Sequence, residues 1–418
     1  MRILVSAGEA SSDLYGAQLI VALRRRARAD DEPLGFFGVG GERMAAAGFE
    51  TIVESRHLAV VGMTEILPAL PRIYGEFRKL MRGVDAASEK PAAAVVIDSP
   101  AFNFRVAREL HARGVPVIYF VAPQLWAWRE YRVRRIKKWV SKVLCIFPFE
   151  LEFYRKHGIE AEYVGHPLAD LDAPEISREE YARQNHLDAS ASWIALLPGS
   201  RVKEVKAILG DLLRGAAQLA AEFTKDARPA TLAPAAKGDA RLQFLIPVAP
   251  SLSREFLQSE IERAGPAAAI AKPVLVSDAR AALCCARAAV VSSGTATVEA
   301  ALLGTPFIAV YRLSALTFQA ARKLVKVPHV AMPNLIAGKE VVPELLQSEL
   351  TPESLALELS KILAEGEARE DMLAALAEVR QKLKAPGRSR LRGANAIERA
   401  ADGVMKTVRA GKRFETRE

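Results

Sequence analysis

The chain has 418 residues, half of them hydrophobic, and a formal net charge of +9. This length and composition predict a large buried core and two globular domains, and they exclude a disordered or fibrous protein. No apolar run reaches the roughly 18 residues that a membrane-spanning helix needs, and the N-terminal run is too short for a signal peptide. The 3 cysteines match neither a disulfide framework nor a zinc motif, so we expect a cytosolic protein without a metal site.

Short apolar runs that end in turns alternate with segments of helical pattern along the chain. The first series is RILVSAG, AAAVVID, VPVIYFVAP, KVLCIFP and AEYVGHP, and the second is WIALLPGSR, LQFLIPVAP, KPVLVSD, AAVVSSGT and PFIAVYR. This alternation predicts an α/β fold with two Rossmann-like parallel-sheet domains that face a central cleft. The N-terminal domain would span 1–172, completed by C-terminal helices in 387–418, and the C-terminal domain would span 190–386.

Two loops at strand ends carry groups of particular interest. SAGEASSD, after the first strand, has small residues that let a ligand approach the backbone, although a structural tight turn is the alternative. It is not GxGxxG, so an NAD site is not expected. In VVIDSPAFNF the carboxylate of Asp98 directly follows a buried run, where it either serves chemistry or caps the next turn or helix.

Two further loops suit a diphosphate. In LLPGSRVKEV a strand ends at Gly199 and Ser200, which leave room for an anion beside Arg201. In SSGTATVE a helix is expected to begin near Ala296, and its N-terminus would present unpaired N–H groups to a phosphate. The candidate residues there are Ser293, Gly294, Thr295 and, as a ribose ligand, Glu299. A surface arginine and simple helix capping are the alternatives.

The set of motifs resembles a known family. GEASSD, GVGGERM, GMTEIL, IDSPAFN, VAPQLWAWR, FPFE, YVGHPL, LPGSR, SSGTATVEAALLGTP and MPNLIAGKEVVPELLQ occur in this order between residues 1 and 347. In this respect the chain is similar to lipid-A-disaccharide synthases, which are GT-B glycosyltransferases of Gram-negative bacteria. The resemblance implies that 2,3-diacylglucosamine is transferred from UDP to the 6-hydroxyl of 2,3-diacylglucosamine 1-phosphate during lipopolysaccharide biosynthesis, without a cofactor or metal.

The resemblance also implies roles for individual residues. An α-linked donor and a β-linked product require inversion with a single base, and Asp98 fits that role. The family places a second acid where this chain has Ala101, so that acid is not expected to be essential. The donor side would be completed by Asn334, Glu340 and Gln347, although Asn334 could instead form a turn. The acceptor side would include Glu9, Ser11, Asn103, Trp126 and Arg129.

Acylated substrates require contact with the membrane surface. The segment 57–81 has apolar residues near helical spacing, interrupted by prolines, and would form either a core helix or an exposed patch that docks on a bilayer. The patch would consist of Val60, Val61, Met63, Ile66, Leu67, Leu70 and Ile73. We therefore expect peripheral association with the cytoplasmic face of the inner membrane, no nucleic-acid partner, and a possible homodimer formed through the C-terminal segment.

Two alternative functions fit part of the sequence. A UDP-sugar 2-epimerase has the same architecture but acts on a water-soluble sugar and would lack the apolar patch. A non-enzymatic basic protein that binds lipid or nucleic acid would account for the charge, because 7 of the 14 residues from Arg129 to Lys142 are basic. That second alternative leaves the Asp98 loop and both phosphate loops without a purpose.

Overall fold

The computed structural model describes residues 1–29, 33–58, 63–225, 241–313, 318, 327–384 and 394–415. It divides into two compact units, the first formed by Met1–Asp170 with Leu383–Glu418 and the second by Leu171–Lys382. The second unit therefore begins earlier than the expected residue 190. The reason is visible at Arg178, whose guanidinium lies 3.7 Å from the centre of the Trp193 ring and donates to the Cys285 carbonyl at 2.6 Å.

The first unit contains a parallel sheet of 7 strands in the order β3-β2-β1-β4-β5-β6-β7. Its strands are β1 (Arg2–Ala7), β2 (Gly35–Gly40), β3 (Glu50–Glu54), β4 (Ala93–Ile97), β5 (Val117–Phe120), β6 (Lys142–Cys145) and β7 (Ala161–Tyr163). Its first helices are α1 (Ala10–Ala29), α2 (Glu42–Ala46), α3 (Met63–Asp85), α4 (Pro100–Ala112), α5 (Val133–Trp139) and α6 (Pro148–Lys156). The residues of β4 and β5 are fully buried, as expected for central parallel strands.

The second unit contains a parallel sheet of 6 strands in the order β10-β9-β8-β11-β12-β13. Its strands are β8 (Ser192–Leu197), β9 (Leu242–Pro247), β10 (Val274–Val276), β11 (Ala288–Ser292), β12 (Phe307–Tyr311) and β13 (Glu344–Leu346). Its helices are α7 (Arg178–Asn185), α8 (Val202–Lys225), α9 (Arg254–Arg263), α10 (Pro266–Ala271), α11 (Ala279–Cys285), α12 (Thr295–Leu303), α13 (Met332–Ala337), α14 (Pro352–Leu363) and α15 (Glu367–Leu383).

The last helix, α16 (Ala396–Glu415), returns to the first unit and packs on α1. Arg26 of α1 donates to Asp402 at 2.6 Å and also pairs with Glu398. The helix lies close to the sheet at Gly403, where a Cβ atom would stand 2.8 Å from the side chain of Leu144. The C-terminal segment therefore completes the first unit through ion pairs and close packing.

Helix α3 is continuous over 23 residues, so Pro68 and Pro71 do not interrupt it. Of the expected membrane patch, Val60 and Val61 lie outside the described residues, and only the backbone is described for Met63, Ile66 and Leu67. Leu70 is 37% exposed, whereas Ile73 packs against the core of the first unit. Within the described residues, no helix is both long enough and apolar enough to cross a membrane.

Candidate active site

Each parallel sheet gathers its candidate residues at the carboxyl ends of its strands. In the first unit these are the loops after β1, β4, β5, β6 and β7, and in the second unit the loops after β8, β10, β11 and β12. Because all strands within a sheet are parallel, these loops share one edge of that sheet.

Asp98 directly follows β4 and has a backbone conformation that residues other than glycine rarely adopt. Its φ is 49° and that of Ser99 is 46°, so two consecutive residues are left-handed. The Asp98 carbonyl accepts from Asn103 Nδ2 at 2.7 Å and from the Tyr119 hydroxyl at 2.8 Å. Burial, with a smaller contribution from the Asp98 charge, holds the pKa of Tyr119 well above its usual value, so the phenol keeps its proton and remains a donor.

Asn103 has a different role from the predicted acceptor contact. Its side chain is fully buried on α4, where its amide also donates to the Ile97 carbonyl at 3.0 Å and accepts from the Ser6 hydroxyl at 2.7 Å. These bonds tie together the ends of β1 and β4. Asn103 therefore holds the backbone of Asp98 in position, and its contact with the acceptor stays a prediction.

The loop after β1 lies against the loop after β4. A Cβ atom on Gly8 would stand 2.6 Å from the Ser99 hydroxyl, so a larger residue there would have to displace the Ser99 side chain. Glu9 and Ser11 are exposed, as an acceptor-side role requires. Asp13 does not contribute to such a role, because its carboxylate caps α2 by accepting from the N–H groups of Gly41 at 2.6 Å and Arg43 at 3.1 Å.

Trp126 is anchored by a buried carboxylate that the sequence did not reveal. Its indole N–H donates to Glu150 Oε1 at 3.2 Å, while Glu150 Oε2 accepts from the N–H groups of Ile146 and Phe147. Burial raises the pKa of Glu150 to about 7. Arg129 lies half-buried above the Trp128 ring, 4.3 Å from its centre, and its φ of 56° is left-handed. Glu150 thus fixes the loop that carries the two predicted acceptor residues.

His166, in the YVGHPL motif, is a buried neutral imidazole. Its Nδ1 accepts from the N–H of Leu168 at 3.2 Å, and its ring lies 5.3 Å from that of Phe147. Burial lowers the pKa of His166 to about 3, so the ring is uncharged at neutral pH. This histidine packs the carboxyl end of the sheet and is not poised as an acid or base.

The LPGSR loop of the second unit is organised by Glu204, which was not predicted. Its carboxylate accepts from the Ser200 N–H at 3.1 Å and pairs with Arg201 at 3.0 Å. Gly199 has a φ of 123°, and a Cβ atom there would stand 2.6 Å from Glu204. Arg201 is 61% exposed at the mouth of the loop, where a phosphate could replace or share its carboxylate partner.

The loop after β11 presents the N-terminus of α12, which begins at Thr295 and so confirms the expected start near Ala296. Gly294 has a φ of 154° with open space on its Cβ side, and Thr295 is exposed. The Ser293 hydroxyl donates to the Val330 carbonyl at 3.1 Å. Ser293 therefore shapes the loop, while the backbone N–H groups at the start of α12 are positioned to bind an anion.

Glu299 lies on α12, one turn beyond this N-terminus, with 22% of its side chain exposed. Arg280 stands 4.0 Å from the carboxylate, and burial raises the pKa of Glu299. Arg280 also donates to the Asp172 carbonyl at 3.0 Å, which fixes its position. The carboxyl group thus lies one turn from the predicted anion site, beside a guanidinium of fixed position.

Two of the three predicted residues in 332–347 stabilise the loop itself. Asn334 is fully buried, accepts from the N–H groups of Val341 and Val342, and donates to Glu344 at 2.8 Å. Gln347, with its amide oriented to satisfy both groups, bonds the backbone N–H and carbonyl of Leu313 at 2.8 and 3.1 Å. Both side chains therefore stabilise the loop, and their direct contacts with the donor stay a prediction, whereas Glu340 is exposed.

Glu344 accepts most of the hydrogen bonds that hold this loop, and the sequence analysis did not predict this role. Besides Asn334, its carboxylate accepts from the N–H groups of Val330 at 2.9 Å and Ala331 at 3.0 Å. Val330 in turn accepts from Ser293, so the network reaches the loop before α12. Only the acidic character of KEVVPELL could have indicated this role, because the partners lie 13 and 14 residues away.

Comparison with known proteins decides between the candidate functions. The model of the family described as lipid-A-disaccharide synthetase matches residues 3–396. The lipid-A-disaccharide synthase of Koribacter versatilis is 46% identical over 408 residues, which cover 97% of this chain and 98% of that protein. The chain belongs to the lipid-A-disaccharide synthase family. A second member, from Myxococcus xanthus, is 42% identical over 412 residues, covering 98% of each chain.

Membership confirms that the chain is a glycosyltransferase of lipid A biosynthesis, and the epimerase alternative is not favoured. Solved structures show the fold alone. The UDP-GlcNAc 2-epimerase from Neisseria meningitidis has a TM-score of 0.58 at 11% identity, covering 98% of this chain and 99% of that chain. The calicheamicin glycosyltransferase CalG4 has a TM-score of 0.55 at 16% identity, covering 97% and 98%. The GT-B type of fold is therefore confirmed.

Proposed function

We propose that this enzyme transfers 2,3-diacylglucosamine from UDP-2,3-diacylglucosamine to the 6-hydroxyl of 2,3-diacylglucosamine 1-phosphate. The products are the β(1→6)-linked lipid A disaccharide 1-phosphate and UDP. Because both sugar substrates carry acyl chains, the reaction would take place at the cytoplasmic face of the inner membrane. Family membership supports the reaction class, and the arrangement around Asp98 supports the mechanism.

The position of Asp98 at the end of β4 is the observation that supports this mechanism. In a single inverting displacement, the acceptor oxygen forms a bond to C1 of the donor sugar while the bond from C1 to the UDP oxygen breaks. The Asp98 carboxylate takes the proton of the attacking hydroxyl, a role that contributes about 10²- to 10⁴-fold in rate. The left-handed backbone at Asp98 and Ser99, fixed by Asn103 and Tyr119, favours this role because strained conformations persist where function requires them.

The second unit would hold the leaving group. Negative charge grows on the diphosphate as UDP departs, and the N-terminus of α12 together with Arg201 offers fixed positive partners for that charge. Glu299 would accept hydrogen bonds from the ribose hydroxyls. We propose that these groups take the place of a metal ion, so that neither a metal nor another cofactor is needed.

The reaction can be tested by UDP release in detergent micelles with EDTA present. The proposal predicts release that depends on 2,3-diacylglucosamine 1-phosphate, is unaffected by EDTA, and yields a β-anomer by the C1 proton coupling in NMR. Acceptor-independent turnover to an epimerised UDP-sugar would contradict the transfer reaction. Loss of activity with EDTA, restored by a divalent cation, would contradict the metal-independent mechanism.

A further inference from the structure

The loop after β5 continues into a short basic stretch that ends in α5. Arg129 precedes a 3₁₀ turn, Glu130–Arg132, and α5 follows that turn directly. Arg129, Arg132 and Arg135 are spaced by three residues, and residues at this spacing are neighbours on one side of a helix. This set is called the arginine triad below.

The arginine triad surrounds the hydroxyl of Tyr131. The guanidinium carbon of Arg132 lies 6.0 Å from the centre of the Tyr131 ring. Hydrogen bonding to Arg132, followed by the charges of Arg132, Arg129 and Arg135, lowers the pKa of Tyr131. Since Coulomb interactions weaken with distance, the three positive groups lie near one point. Tyr131 itself is 63% exposed, so an anion from solvent can reach that point.

The positive charge of the arginine triad is not matched by carboxylates. In the residues that the structure describes, no member of the triad forms an ion pair. Glu130 is the only acidic residue between Arg129 and Lys142, and its carboxylate lies 3.5 Å from Nε2 of His157. Arg132 Nε is buried and has no hydrogen-bond partner among the described residues. Because a buried charged donor seldom lacks a partner, the triad has the character of a site whose anion arrives with a ligand.

The segment that carries the arginine triad lies against the Asp98 loop. The Asp98 N–H donates to the Val121 carbonyl at 3.2 Å, so the loop after β5 starts in contact with Asp98. Further along the chain, the Arg135 guanidinium lies 5.9 Å from the ring centre of Phe104, the residue after Asn103. Both ends of the segment therefore contact either Asp98 or the beginning of α4 beside it.

The loop before the arginine triad is fixed by two buried groups. The Trp126 indole donates to Glu150 at 3.2 Å, and the Tyr154 hydroxyl donates to the Pro123 carbonyl at 3.2 Å. A loop that is already fixed loses little conformational freedom when a ligand binds. The triad is therefore presented to a ligand from a preorganised support.

The proposed acceptor brings an anion to this edge of the sheet. Its 6-hydroxyl and its 1-phosphate stand on either side of the oxygen of one sugar ring, so a hydroxyl placed at Asp98 puts the phosphate within one sugar width. Guanidinium groups bind phosphate oxygens through paired N–H donors. The donor has no phosphate monoester, so this group distinguishes the acceptor from the donor.

We propose that the arginine triad binds the 1-phosphate of the acceptor, with Arg132 as its paired donor and Arg129 and Arg135 beside it. The triad thereby selects the phosphorylated sugar over the same sugar without phosphate. This inference rests on the proposed function, because it assigns the residues that recognise the acceptor of that reaction.

The inference is tested by the ratio of kcat/KM for 2,3-diacylglucosamine 1-phosphate to kcat/KM for 2,3-diacylglucosamine, measured in neutral detergent micelles. A hydrogen bond to a charged group changes binding by about 10- to 100-fold, so Arg132→Gln should lower this ratio by that factor. Arg134→Gln is the matched control, because Arg134 is exposed and lies two residues further on, away from the face of the triad. The control should change the ratio less than about threefold, since an exposed charge is screened by solvent. Dissociation constants from tryptophan fluorescence give the same ratio if turnover of the unphosphorylated sugar is too slow.

Several results would overturn the inference. An equal fall of the ratio in Arg132→Gln and Arg134→Gln would show general charge attraction and not a site. A fall that occurs only when phosphatidylglycerol is added to the micelles would show that the triad binds a membrane headgroup instead. Transfer to both sugars with an unchanged ratio in Arg132→Gln would overturn this inference alone, whereas transfer to neither sugar by wild type would contradict the proposed function.

Thermal unfolding curves that match wild type establish that the variants are folded. If Arg132→Gln is not folded, Arg132→Lys takes its place, because lysine keeps the charge but lacks the paired donors of the guanidinium group. The ratio should then fall by about threefold or more, and a ratio equal to that of wild type would count against the inference.

Discussion

Asn103 and Tyr119 both donate to the backbone carbonyl of Asp98 and hold that residue in position. We predict that Asn103→Ala lowers kcat by about 10²-fold, because a displacement of about 1 Å at a reacting group has effects of that size. The same change should cost about 2 kcal/mol of stability by leaving buried polar groups unpaired. Steady-state kinetics with both substrates varied, beside urea unfolding, measures both effects.

Asn334 provides the matched control for this prediction, since it is equally buried and equally hydrogen-bonded but lies in the second unit. Asn334→Ala should cost similar stability, raise the donor KM through the Ser293 loop, and change kcat less than Asn103→Ala. If both variants lose kcat to the same extent, the positioning role of Asn103 is wrong and the loss reflects destabilisation alone.

Glu150 gives a prediction about pH. Its pKa is raised from 4.5 to about 7, so the folded chain holds this proton more tightly than the unfolded chain. Its stabilising contribution is therefore complete below about pH 4.5 and is lost as the pH rises to about 7, a change on the order of 3 kcal/mol. The Glu150→Gln variant has no carboxyl group at this position, so its free energy of unfolding should not show this fall with rising pH, whatever its value at low pH.

The measurement is urea unfolding of wild type and Glu150→Gln at about pH 5 and about pH 8, compared as a difference between proteins. From about pH 5 to about pH 8, the free energy of unfolding of Glu150→Gln should rise by about 2 kcal/mol relative to that of wild type. The buried His166 has the opposite pH dependence, since its lowered pKa favours the folded state as the pH rises, and its contribution cancels in this difference. Parallel stability curves for the two proteins would show that Glu150 titrates normally.

At the scale of elements, the turn from β8 into α8 depends on Gly199. An alanine there meets both a left-handed backbone and the Glu204 side chain at 2.6 Å, so Gly199→Ala should displace Arg201 and raise the donor KM by about tenfold or more. Gly366→Ala is the matched control, because its φ is 145° with nothing within 4 Å of the Cβ position. Both variants should lose stability, but only Gly199→Ala should change donor KM, which initial-rate kinetics measures.

The strands were largely predictable because central parallel strands are continuous apolar runs. β2 and β3 were not predicted, since GFFGVG is rich in glycine and ETIVE alternates with charge, and β13 is a three-residue edge strand. The loops of the candidate site were predictable as loops because each apolar strand run ends at turn residues. The hydrogen bonds within these loops were not predictable. The partners of Glu150, Glu204 and Glu344 are the groups that lie near them in the folded chain, and that proximity cannot be read from a single sequence.

The loop-stabilising roles of Asn334 and Gln347 could not be predicted from the sequence for a related physical reason. A polar residue in a motif shared by a family can serve the ligand or the loop, and both uses place the same residue type at the same position. Burial distinguishes them: Asn334 is fully buried and its amide is satisfied by backbone groups and Glu344. Sequence alone gave no measure of that burial.

At the scale of the whole molecule, the chain crosses back at its C-terminus to complete the first unit. Arg26, with 15% of its side chain exposed, holds α16 through Glu398 and Asp402, whereas Arg25, with 71% exposed, pairs with Glu398. Arg26→Ala should cost about 2 kcal/mol and Arg25→Ala less than about 0.5 kcal/mol. Urea unfolding measures both, and equal losses would show that the Arg26 network does not hold the helix.

The role of Asp98 as the base is tested most directly by the kcat of Asp98→Asn, measured with saturating donor and acceptor in micelles. The amide keeps the size of the side chain but cannot accept the hydroxyl proton, so kcat should fall by about 10²- to 10⁴-fold while donor KM and the thermal unfolding midpoint stay near wild type. A kcat within about threefold of wild type, in a folded variant, would contradict the assignment of Asp98 as the base.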